Sequence, residues 1–129
     1  MLILFDIDMT LLETDHIGID LLEAAGRDLF KTDFTAEGIV FGGGLDPNII
    51  SDMLTNNGQQ VTPENITALR THYHRGLSEI ASRQSIARAL PGAHDLVNAS
   101  RTHPAMLAIG VLTGNFPETG AIKLSSAGF

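Results

Sequence analysis

The chain has 129 residues, a formal net charge of −7 and no cysteine. That is enough for one ordinary domain, leaves no disulfide framework or thiolate metal site, and disfavours a general nucleic-acid or anionic-membrane surface. No apolar run reaches the length of a membrane span, and the N-terminal one is broken by Asp6 without a basic leader, so a cytoplasmic protein with neither nucleic acid nor membrane as partner is expected.

In chain order, Leu2–Asp6 reads as a first strand, four consecutive apolar residues suggesting burial on both faces. Residues 7–14 form a loop carrying Asp8 and Thr10. From about Asp15 the period changes, and Ile17, Leu21, Leu22, Ala25 and Leu29 fall on one helical face. Residues 34–45 are irregular, with three consecutive glycines, Gly42–Gly44, read as a flexible turn. Asp46-Pro47 suits a helix start, with Asp at the cap and Pro in the first turn, and Asn56-Asn57-Gly58 suits its end. Thr62-Pro63-Glu64 opens another helix, where Ile66, Leu69, Tyr73, Leu77 and Ile80 form the clearest helical stripe in the chain. Leu90-Pro91-Gly92 punctuates. A helix with Leu96 and Val97 on its buried side then ends near Thr102, a second strand covers about Met106–Leu112, and Pro117 opens a last helix that Gly128 closes.

The chemistry concentrates at the two strand ends. Asp6 and Asp8 stand two apart after the first strand, so both carboxylates can point to one ligand, and the carboxyl ends of strands are where open α/β sheets bind ligands. The second strand ends in Thr113-Gly114-Asn115. A solvated turn with Thr10 as a helix cap is the plainer account of such a stretch. A glycosyltransferase-type metal site is argued against by the motif's place on the first strand and the following Thr, and a receiver domain would carry its phosphorylated Asp on a later strand.

An apolar strand running into DIDMT, and a second running into TGN, resemble the first two motifs of the haloacid dehalogenase-like hydrolase superfamily, in particular its phosphoglycolate-phosphatase-like members with a helical cap between those motifs. The resemblance implies an α/β fold: residues 1–13 and 91–129 as a partial Rossmann-like core with about two parallel strands, and residues 14–90 as an inserted helical cap. It implies Mg²⁺-dependent hydrolysis of a small phosphorylated metabolite. Asp6 would be the nucleophile, forming an aspartyl-phosphate, and Asp8 the general acid and then base. Thr113 would bond a phosphoryl oxygen, backbone amides around Ile7 and Gly114 would add donors, Thr10 would position the loop, and Asn115 would orient Asp8 or its neighbours. Mg²⁺ would take the Asp6 carboxylate and the Asp8 carbonyl.

Several positions depart from the family's pattern. Met9 stands where Gly is common and requires a negative φ to be comfortable, and Gly44-Leu45 replace a basic residue and a Thr before Asp46, so phosphoglycolate does not follow as substrate. The third-motif cation and fourth-motif acid are not found. Lys123 sits about two turns into the last helix, on the order of 10 Å from the strand end, and reads as a solvated face residue. The expectation is therefore a truncated chain of impaired activity, with a non-catalytic fragment or interaction module as the alternative, self-associating through an unpaired sheet edge. Arg27, Arg70, Arg75, Arg83 and Arg88 read as solvated helix charges, His94 and His103 as surface residues, and His72 and His74, two apart on a helix, as an improbable metal pair.

Overall fold

The computed structural model describes residues 1–129. The elements are β1 (Leu2–Phe5), β2 (Leu12–Glu13), α1 (Ile17–Phe30), α2 (Asp46–Asn56), α3 (Pro63–Ala81), β3 (Arg88–Ala89), α4 (Ala93–Thr102), β4 (Ala108–Val111) and α5 (Pro117–Ser126). The class is α/β. β1 and β4 pair in parallel with Leu2 opposite Ala108 and Phe5 opposite Val111. No helix is long and apolar enough to cross a membrane.

β1 is not buried on both faces. Ile3 and Phe5 pack with Ile109, Val97, Ala93 and Leu124, whereas Leu2 and Leu4, on the alternate side, are 61% and 50% exposed. A run of four apolar residues cannot distinguish a covered face from a bare one. For α4 the reading shifts in part: Val97 packs against the sheet's cluster as expected, but Leu96 is exposed, and Ala93 and Ser100 are the buried residues of the helix.

The largest core lies among the three central helices. Leu22, Phe34, Ile50, Met53, Leu54, Leu69, Tyr73 and Leu77 are all buried in it. Gly26 is the closest approach: an added Cβ would lie 2.1 Å from the Phe34 ring, so α1 and the following segment meet only because that residue lacks a side chain. Thr62 caps α3 as its sequence position suggests, its Oγ1 accepting the Asn65 N–H at 3.2 Å. Asp46 does not cap its own helix. Leu45 is the N-cap of α2, and the Asp46 carboxylate turns toward α5.

The loop of residues 7–14 is more ordered than expected. It contains β2, which pairs antiparallel with β3 (Leu12 opposite Ala89, Glu13 opposite Arg88). This short ladder ties together the two places where the chain passes between the sheet and the helices α1–α3. Arg88 reinforces it with an ion pair to Glu13, so it is not a lone solvated charge.

Candidate active site

Parallel pairing of β1 and β4 sets their carboxyl ends side by side, and the Leu112 N–H donates to the Phe5 carbonyl at 2.9 Å just beyond them. Asp6 leaves one strand and Thr113 the other. A cavity of about 780 Å³ lies over these ends, walled on the far side by α1, α2, α3 and the segment from Phe41 to Leu45. Asp6, Asp8, Thr113, Gly114 and Asn115 all line it. Ile7 and Thr10 do not. Ile7 is buried beneath the loop, its carbonyl accepting from the N–H groups of Thr10, Leu11 and Leu12, and Thr10 is exposed with no side-chain hydrogen bond.

A polar network joins the two strand ends. Asn115 Nδ2 donates to Asp8 Oδ2 at 2.5 Å and to Thr113 Oγ1 at 2.8 Å, so Asn115 orients both. Its carbonyl oxygen accepts from Lys123 Nζ at 2.6 Å, and the same ammonium reaches Asp8 Oδ1 at 2.9 Å.

Lys123 is thus a correction to the sequence reading. It is 8% exposed and belongs to the cluster. The axial rise along α5 had suggested too great a distance, but a helical side chain leans toward the N-terminus of its helix, and a long lysine stem can span the remaining gap along apolar surface. α5 itself sits tight on the loop: an added Cβ on Gly120 would lie 3.1 Å from Ile7 Cδ1. No hydrophobic periodicity along α5 marked its buried face. Thr119, Gly120 and Lys123 share one buried face of α5, an arrangement that would strand a solvated lysine.

The far wall is held against the strand ends by two ties. The Asp46 N–H donates to the Gly114 carbonyl at 2.8 Å, and Asp46 Oδ2 accepts from the Phe116 N–H at 2.9 Å and from Thr119 Oγ1 at 3.4 Å. Asp46 therefore does for α5 what a capping acid normally does within one helix. Burial pushes its carboxyl above the ordinary range, only partly offset by the Phe116 hydrogen bond and the Lys123 charge. The second tie is Arg70. It is not a solvated helix charge: its guanidinium makes two bonds to Glu118, at 2.5 and 2.9 Å, and lies 4.1 Å over the Phe116 ring.

Gly114 is required at this contact, since a Cβ there would lie 2.5 Å from the Gly44 carbonyl oxygen. Met9 adopts φ +59°, contrary to the negative φ its bulk favours, and so pays the left-handed penalty that Gly avoids at this position. His16 also has positive φ and lines the cavity at the start of α1. Tyr73, from the middle of α3, is a residue that the sequence reading placed only on a helical stripe. It lines the cavity too, and burial pushes its phenol pKa well up.

The Asp6 carboxylate makes no hydrogen bond or ion pair within the protein, whereas both Asp8 carboxylate oxygens are engaged by Asn115 and Lys123. No group of three or more His, Asp or Glu side chains gathers to hold a metal. An ion such as Mg²⁺, which keeps several waters and takes one or two carboxylates plus substrate phosphate, would have the unengaged Asp6 carboxylate and the Asp8 backbone carbonyl as its protein ligands.

No protein-family model matches the sequence, and no curated protein matches it. Solved structures do. A hydrolase from Pseudomonas syringae matches with a TM-score of 0.67 at 18% identity, over 98% of this chain and 56% of that one. A predicted phosphoglycolate phosphatase from Haemophilus somnus 129pt matches with a TM-score of 0.64 at 16% identity, over 98% of this chain and 57% of that one. The chain spans little more than half the length of these two structures. At such identities the likeness is one of architecture: the chain shares the α/β fold of these two structures, the fold class that DIDMT and TGN led us to expect.

Proposed function

We propose that this chain is a phosphate-monoester hydrolase working through an aspartyl-phosphate on Asp6. One observation carries the reading: an unengaged Asp6 carboxylate shares a cavity with a connected Asp8–Asn115–Lys123–Thr113 network at the carboxyl ends of two parallel strands. Residues 1–13 and 91–129 supply this chemistry in the proposed division, and residues 14–90 form the cap above it.

In this reading Asp6 attacks phosphorus, the bond to the alcohol oxygen breaks, and that oxygen takes a proton from Asp8. Water then attacks the phosphorus of the acyl phosphate, giving its proton to Asp8 and releasing phosphate with Asp6 restored. Lys123 Nζ and Thr113 Oγ1 face the phosphoryl oxygens, with the Gly114 N–H as a further donor. Lys123 thereby takes the part of the cation that the sequence reading could not find. Before substrate enters, that ammonium is held by Asp8 and Asn115, so an arriving phosphate must draw it away from them. Mg²⁺, when bound by Asp6 and the Asp8 carbonyl, would offset repulsion between the nucleophile and the phosphate.

The test is hydrolysis of p-nitrophenyl phosphate by the 129-residue chain with Mg²⁺ present. Measurable turnover that Asp6→Asn abolishes, with the fold unchanged by circular dichroism, supports the reading. Turnover that survives Asp6→Asn would sink it.

A second reading rests on the bare sheet face, where Leu2 and Leu4 are joined by exposed Leu112, one position beyond Val111 and so on their side of the sheet. It makes the chain an interaction module that self-associates there. Sedimentation velocity across a hundredfold dilution decides: a monomer at every concentration removes it.

A further inference from the structure

The cavity is chemically two-sided. Its titratable residues are Asp6, Asp8, His16, Asp46, Tyr73 and Lys123. The one lysine sits at the strand ends, buried in the network already described, and no arginine lines the cavity. The far side is largely apolar, with Ile19, Leu22, Phe41, Ile49 and Ile50 contributing to its walls. Its charged groups are the Asp46 carboxylate, bonded to α5, and His16, exposed at the rim where solvent screens it.

Tyr73 is the exception within that apolar side. The residue is 4% exposed, yet its hydroxyl has no hydrogen-bond partner in the protein. No buried polar side-chain atom in the chain is left both sealed and unpaired, so this hydroxyl keeps contact with the cavity. It lies at Gly18, where an added Cβ would come within 3.2 Å of it, and that glycine also lines the cavity. A phenol so deeply buried normally finds a partner. Here the fold leaves its hydrogen for something that enters the cavity.

We infer that the cap side of this cavity selects phosphate monoesters whose alcohol part is uncharged, largely apolar and carries one hydrogen-bond acceptor, which Tyr73 engages, and that it disfavours alcohols ending in a carboxylate. The inference rests on the phosphatase reading for the position of the phosphate. A carboxylate placed here would lose water to an apolar wall without gaining a cation, and would meet the Asp46 charge. A carbonyl or ether oxygen would lose less and would satisfy Tyr73.

Two non-hydrolysable phosphonates of matched shape test this: 4-oxopentylphosphonate, which ends in a methyl ketone, and 4-phosphonobutyrate, which ends in a carboxylate. Their affinities for the wild-type chain and for Tyr73→Phe are measured by calorimetry with Mg²⁺ present, beside inorganic phosphate. The ketone should bind roughly tenfold tighter than the carboxylate. Tyr73→Phe should lose roughly fivefold or more on the ketone while phosphate affinity and melting temperature stay as in wild type, since the hydroxyl has no partner in the fold. Equal or tighter binding of the carboxylate overturns the inference alone, as does a ketone affinity that Tyr73→Phe leaves unchanged. Failure of phosphate and both phosphonates to bind overturns the phosphatase reading beneath it.

Discussion

Lys123 Nζ stands 2.9 Å from Asp8 Oδ1, across 115 residues of sequence. The pair is unequally buried, the lysine side chain 10% and the aspartate 41% exposed, so the charge at the cavity floor is a fixed ammonium beside a more accessible carboxylate. In the proposed mechanism that ammonium is what an incoming phosphate meets. Lys123→Met keeps the stem and removes the charge. We expect kcat/KM on p-nitrophenyl phosphate to fall about 100-fold or more, with phosphate affinity falling alongside and the circular dichroism spectrum unchanged. Wild-type kinetics in this variant would remove Lys123 from the site.

Gly114 lies against the Gly44 carbonyl at the point where the segment before α2 meets the strand ends. A backbone oxygen cannot swing aside as a side chain can, so Gly114→Ala must part the two. We expect a loss of about 1–3 kcal/mol in urea unfolding, together with greater protease sensitivity in residues 41–46. Gly110→Ala is the control. Its Cβ would meet only the flexible end of Leu4, at 3.2 Å, and should cost far less.

Asp46 sets a pH dependence whose sign follows from its burial. Its folded pKa is raised above the ordinary 3.8 by desolvation. The folded state therefore holds the proton more tightly than the unfolded chain does. The resulting stability is full below pH 3.8 and is lost as pH rises through the raised value. Asp46→Asn keeps an oxygen for the Phe116 N–H and abolishes the titration. Relative to this variant, the wild type should lose ground between pH 4 and pH 7 in denaturation midpoint. A difference between the two that is constant over that range would contradict the assignment.

Arg70 and Glu118 tie α3 to α5 at partly exposed positions, 40% and 29% by side chain. The Arg70 hydrogen bonds hold the Glu118 carboxyl below its ordinary value of 4.5. This contribution is present above that pH and is lost as pH falls through the lowered value. Solvent screening keeps it small. A double-mutant cycle with Arg70→Met and Glu118→Gln should return a coupling of about 0.5–1 kcal/mol at low ionic strength, shrinking in 1 M salt. A coupling near zero would show the pair to be without energetic consequence.

Much of the molecule was legible from local patterning. The period-3.6 stripes of α1 and α3, the Pro-initiated starts of α2, α3 and α5, and the two strand-end motifs all follow from rules acting within a few residues, and the fold class follows from their order. Asp6, Asp8, Thr113, Gly114 and Asn115 stood out because polar residues ending an apolar strand are conspicuous in one dimension. What only the tertiary structure decided involves groups whose meaning depends on what lies opposite them. The open side of β1 is set by which face the helices cover. Lys123 and Asp46 point away from the roles their own helices suggested, toward partners far along the chain. Tyr73 looks like one more residue of a helical stripe until the space beside its hydroxyl is seen. Side-chain direction and the match between surfaces brought together by folding are not encoded in spacing along a single element, and it is these that turn two short motifs into a cavity with a charged floor and an apolar roof.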